Sequence, residues 1–146
     1  MLRSFPLIIL SIIIYNVLVF GAPTFMGAGY MGVDELLSRH VSFTMFSGEV
    51  WNFSLGDFLV VLTLMLLFVE VVKATRTTAV EVVNHGLSTL TFIIALVEFI
   101  TLKDFATSTF FLITAMAVFD IVAGFTISIV AAKRDLGVAG GIIGTN

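Results

Sequence analysis

The sequence predicts an all-α membrane protein: a four-transmembrane-helix bundle with a small extracytoplasmic cap, built from a short helix and either a β-hairpin or an irregular interfacial loop. Three observations predict it. The chain of 146 residues is 59% hydrophobic, with 15 Phe and only 12% charged residues, well outside the range of soluble domains. Four apolar runs have the roughly 20 residues that a bilayer core about 30 Å thick requires. The basic residues sort to one side when those runs alternate in direction.

The first span covers 5–22 (FPLIILSIIIYNVLVFGA), with Ser4 placed to cap it and Pro6 in its first turn, where a missing N–H costs nothing. A cleaved signal peptide is the competing reading. The exit VFGAPT puts Phe20 where a cleavage site needs a small residue, and Pro23 follows Ala22, so the span is expected to be retained. The second span, 55–72, opens on Ser54-Leu-Gly-Asp57, a capping-box pattern. The third runs over about 82–101 and the fourth over about 108–132, within one membrane domain covering 1–146. No polar face recurs at helical spacing strongly enough to meet water.

Alternation places Arg3, Lys73, Arg76, Lys133 and Arg134 on one side, with only Arg39 and Lys103 on the other; both termini are therefore expected in the cytoplasm. The connection 23–54 lies outside. Within it VDELLSRH (33–40) has acids first and Arg39 and His40 last, the charge order of a short helix. VSFTMFSGEVWNFSL (41–55) is β-branched and aromatic on both sides of Ser47-Gly48, which suits a hairpin. Trp51, Phe43 and Phe53 are expected at headgroup level.

Acids inside spans are functional candidates by default. Glu70, three residues before Lys73, reads as an interfacial ion pair, Asp57 as a cap and Glu81 as a solvated side chain. Glu98 belongs to a polar stripe, because Asn84, Ser88, Thr91, Ala95 and Glu98 step by 4, 3, 4 and 3 along one helical face. Such a stripe faces other helices or a wet groove. Asp120 is the deepest acid, about 20 Å along the helix from Lys133. It opposes insertion by about 2.5–3.5 kcal/mol, against about 0.3–0.6 kcal/mol in favour from each apolar neighbour. The span inserts, and Asp120 is sheltered. Ala117, Ala123, Gly124 and Ser128 give its helix a small-residue packing face. Counting along the other spans predicts a midplane polar layer of Asn16, Thr63, Thr91 and Asp120, with Tyr15 a further donor and Asn16 the first partner for Asp120. In one reading Asp120 is protonated and fixes helix register; in the other it exchanges protons or cations.

The chain has no Cys and two His, His40 and His85, expected on opposite sides of the membrane, with His85 at the interface. No catalytic, cofactor-binding or metal-ligating set is visible, so no cofactor is expected. Scattered Lys and Arg exclude a nucleic-acid partner. Spans, turns and one cap account for the sequence, which predicts a non-catalytic membrane subunit or accessory protein whose partners are lipid and other membrane proteins or itself. The alternative is a small oligomeric transporter or proton/cation conductor using Asp120 and the Glu98 stripe.

SLGD (54–57), VEF (97–99), ATSTFFLIT (106–114), FDIVAGF (119–125) and AAKRDLGV (131–138) resemble small four-span bacterial inner-membrane proteins of unknown function. The resemblance covers about the last 90 residues. It implies a bacterial inner-membrane location and no activity, cofactor or site residue.

Overall fold

The computed structural model describes residues 5–30, 32–75 and 79–143, with side chains described outside 79–82 and 134–143. The elements are α1 (Ile8–Met26), α2 (Val33–Ser38), β1 (His40–Thr44), β2 (Val50–Ser54), α3 (Leu55–Ala74), α4 (Ala79–Thr101) and α5 (Ser108–Ile143). Helices α1, α3, α4 and α5 are each long and apolar enough to cross a membrane, as expected of a multi-pass membrane protein. Helix α5 lies at the centre against α3 and α4, and α1 is laid more lightly across all three. The β-strands and the 102–107 turn define the hairpin end; the end of α3 and the start of α4 define the basal end. Arg3, Ser4 and Arg76 lie outside the described residues, as do the side chains of Glu81 and Arg134.

Two helix boundaries differ from the sequence reading. Helix α1 starts at Ile8, with Pro6 just ahead of it rather than in its first turn, and its carbonyl accepts the Ile9 N–H. The helix then continues through Pro23 to Met26 and stops at Gly27, where φ is +61°. Proline so near the end removes one hydrogen bond from a ladder that is about to finish, so the interruption is tolerated. Helix α5 runs to Ile143, beyond the expected limit at 132. Charge ends a span, but it does not end a helix: KRDLGVAGGII contains no proline and Lys, Arg, Leu and Ala all propagate helix well.

The capping box at α3 forms as expected. Ser54 Oγ accepts the Asp57 N–H at 3.0 Å, and Asp57 Oδ2 accepts the Ser54 N–H at 2.9 Å. Ser54→Ala is expected to lower stability by about 1 kcal/mol, the usual worth of such a cap, read as a lower thermal midpoint in detergent.

Strands β1 and β2 pair antiparallel, with Phe43 opposite Trp51 and Val41 opposite Phe53. The hairpin therefore replaces the irregular-loop alternative. The Met45 N–H bonds to the Glu49 carbonyl, the Gly48 N–H bonds to Met45, and Gly48 has φ +87°. That is a three-residue turn closed by a left-handed glycine. The Trp51 ring lies 6.0 Å from Phe43 and 5.3 Å from Phe53, so all three aromatics share one face of the hairpin, with Phe43 and Trp51 exposed and Phe53 half-buried.

The core follows the helical period. In α1, Ile8, Ile12, Tyr15, Val19 and Ala22 are buried at steps of 4, 3, 4 and 3, and in α5 Phe110, Ile113 and Ala117 continue it. At the hairpin end the Tyr15 ring packs 4.5 Å from Phe110 and 5.4 Å from Phe105. Its hydroxyl donates to the Asp104 carbonyl at 3.1 Å and is bonded to Thr107 Oγ1 at 2.7 Å. Thr107 Oγ1 in turn accepts the Phe110 N–H that opens α5. Tyr15 thus ties α1 to the turn that launches α5. Tyr15→Phe is expected to keep the ring packing and cost about 0.5–1.5 kcal/mol for the lost hydrogen bonds, measurable by thermal unfolding.

Candidate functional site

Two polar centres lie along the stripe face of α4, one towards each end of the bundle. The basal centre is built on Glu70, which is 1% exposed. Its Oε1 accepts the Lys73 ammonium at 3.0 Å and the backbone N–H of Leu7, and its Oε2 accepts Asn84 Nδ2 at 3.4 Å. Lys73 also donates to the Phe5 carbonyl at 3.1 Å. The interfacial pair expected of Glu70 and Lys73 is present, but Glu70 is a buried junction between α1, α3 and α4. Spacing alone carries no such signal: an acid three residues before a lysine reads the same facing inward or outward.

One turn further in, Asp120 is 6% exposed. It lies beside Ser88 and within electrostatic reach of Glu70, Lys73 and His85. His85 is a correction to the sequence reading, since it is 4% exposed and lies between α4 and α5 rather than at an interface. Its Nε2 is bonded to Ser128 Oγ at 3.0 Å and its ring packs 5.2 Å from Phe125. Gly124 makes the space: a Cβ there would stand 2.4 Å from His85 Cε1. Of the small-residue face on α5, Ala117 is in the core, Gly124 is covered by His85, Ser128 holds the ring, and Ala123 is half-buried.

The hairpin-end centre is Asn16 with Glu98. Asn16 Nδ2 donates to Glu98 Oε2 at 3.1 Å and to the Ile12 carbonyl at 3.0 Å. The sequence reading paired Asn16 with Asp120 first; in the structure its amide is committed to Glu98. Asp120 lies instead beside Ser88, three residues before the Thr91 with which the count places it. Of the other members proposed for a midplane layer, Thr63 bonds to the Leu59 carbonyl and Thr91 to the Leu87 carbonyl. Each is satisfied within its own helix, and no hydrogen bond among the described residues joins the four.

Asn16 and Glu98 sit in a groove of about 370 Å3 between α1 and α4, walled by Ile12, Ile13, Val17 and Ile94, with Thr91 further in. Ile13, Val17 and Ile94 are exposed, so the groove opens sideways from the bundle. Among the described residues Lys73 and Glu70 make the sole ion pair, so the Glu98 carboxylate meets a neutral amide only. The same residues contain no group of three or more His, Cys, Asp or Glu suited to a metal ion.

Comparison with protein families, with characterised proteins and with solved structures finds no match for this chain.

Proposed function

We propose that this protein is a non-catalytic membrane subunit or accessory protein of the bacterial inner membrane, with both termini cytoplasmic, that docks a transmembrane helix of a partner in the α1/α4 groove. The observation that supports it is a half-buried carboxylate, Glu98, oriented by Asn16 in an apolar groove open to the side. In lipid an acid at such a position is costly and is ordinarily matched by a partner group. The expected occupant therefore carries a basic or hydrogen-bond-donating side chain near its extracytoplasmic end, between small residues that allow close approach. A photo-crosslinking residue at Ile94, in native membranes, should give one discrete product that Glu98→Gln abolishes and that the same probe at Leu64 does not give. A product of twice the chain mass identifies the partner as a second copy. Equal, diffuse labelling from both positions rejects docking here.

The buried line of Asn84, Ser88, Thr91 and Ala95 on α4 favours a second reading, cation or proton passage between the two centres. Between Ser88 and Glu98 the Thr91 hydroxyl is turned to its own backbone and Ala95 is fully buried, so passage needs the helices to part. Lateral docking needs no such movement, which is why it leads. Reconstituted protein that carries cation or proton current in sealed vesicles, lost in Asp120→Asn, would reverse that order.

A further inference from the structure

We infer that the basal centre holds one hard monovalent cation, sodium in character, coordinated by Asp120, Ser88 and Asn84. Oxygen atoms at this centre lack partners. Ser11 Oγ, Asn84 Oδ1 and Ser88 Oγ are buried side-chain atoms with no hydrogen-bond partner, and the three residues are 0%, 3% and 3% exposed. A fourth such atom, the Tyr30 hydroxyl, follows the far end of α1, whereas Asn84 and Ser88 stand one turn apart on one face of α4. Leu7 and Asn84 both bond to Glu70, so Ser11 and Ser88, four residues on in their helices, lie one turn deeper at a common level. Asp120 is at that level beside Ser88. Buried polar atoms left unpaired are costly, so Asn84 Oδ1 and Ser88 Oγ, neighbours on one face of α4, mark a place for a ligand.

The atoms on offer are all oxygens. The Asn84 amide nitrogen is spent on Glu70, leaving its carbonyl oxygen; hydroxyl and carboxylate oxygens complete the set. Amide carbonyl, hydroxyl and carboxylate oxygens suit hard cations, whereas a softer transition metal would call for nitrogen or sulfur. Charge selects the valence. Glu70 and Asp120 bring two carboxylates to the centre and Lys73 one ammonium. One monovalent cation balances these three groups, while a divalent ion exceeds them by one positive charge within low-dielectric surroundings. The inference holds whether or not a helix occupies the α1/α4 groove.

The test is thermal unfolding of the full chain in detergent, in sodium, potassium or N-methylglucamine chloride at equal concentration. The expected result is a midpoint several degrees higher in sodium, rising with concentration towards the logarithmic dependence of a bound ligand. That increment should vanish in Asp120→Asn and shrink in Ser88→Ala, the milder variant, which keeps the experiment decisive if Asp120→Asn fails to fold. Equal midpoints in all three salts overturn the proposal and leave a proton as the neutralising species. A sodium increment that survives both substitutions overturns the assignment to these residues.

Discussion

Glu70→Ala is expected to lower stability by about 3–5 kcal/mol, the usual cost of removing one partner of a buried ion pair. Three groups lose their acceptor together: the Lys73 ammonium, the Leu7 N–H and the Asn84 amide. Lys73, at 22% exposure, can swing outward and recover part of the loss. Asn84, at 3% exposure, has no such escape. Glu70→Gln should fall between wild type and Glu70→Ala, since the amide oxygen still accepts one hydrogen bond but the charge is gone. The measurement is the thermal midpoint in detergent of the three proteins. A loss in Glu70→Ala of less than about 1 kcal/mol, the range of exposed pairs, would contradict a junction at this residue.

Gly124→Ala is expected to destabilise by about 1–3 kcal/mol through overpacking, although alanine is the better helix former. The added methyl would stand 2.4 Å from His85 Cε1 and 2.5 Å from Nδ1. The ring must then leave, and with it go the bond to Ser128 and the contact with Phe125. The decisive comparison is a double-mutant cycle. In a His85→Ala background the same substitution should cost almost nothing, so the coupling energy should account for most of the single-mutant loss. Additive losses would show that Gly124 serves a purpose other than seating this ring.

Elements that depend on neighbours in the chain were legible in the sequence. The capping box at Ser54 and Asp57, the short α2, the hairpin about Ser47-Gly48 and the four spans each rest on residues within a few positions of one another. The site depends on which residues meet across helices, and there depth counted from charges was the weak step. It assumes that each basic residue marks the membrane surface. In the structure Asp120 lies beside Ser88 in the Glu70 centre, whereas Asn16 bonds to Glu98. The α4 stripe was visible as a period of 3.5 residues. That its two ends meet different partners, Glu70 at Asn84 and Asn16 at Glu98, depends on the placement of α1, which no local pattern encodes. Gly124 was readable as a contact point, but the buried ring it receives was not, since His85 looks the same in sequence whether it faces lipid headgroups or a neighbouring helix.

The bond from the Leu7 backbone to Glu70 joins residues 63 positions apart. During synthesis, at about 5–20 residues per second, the first hydrophobic segment therefore exists for seconds before the residue that fastens its start has been made. The 102–107 turn, which fixes Tyr15, comes later still. Helix α1 thus precedes by scores of residues the groups that lock both of its ends. A nascent chain arrested just after Glu98 already carries the partners of Leu7 and Asn16 but lacks the 102–107 turn, so α1 is held by its polar contacts while the Tyr15 hydroxyl still waits for Asp104 and Thr107.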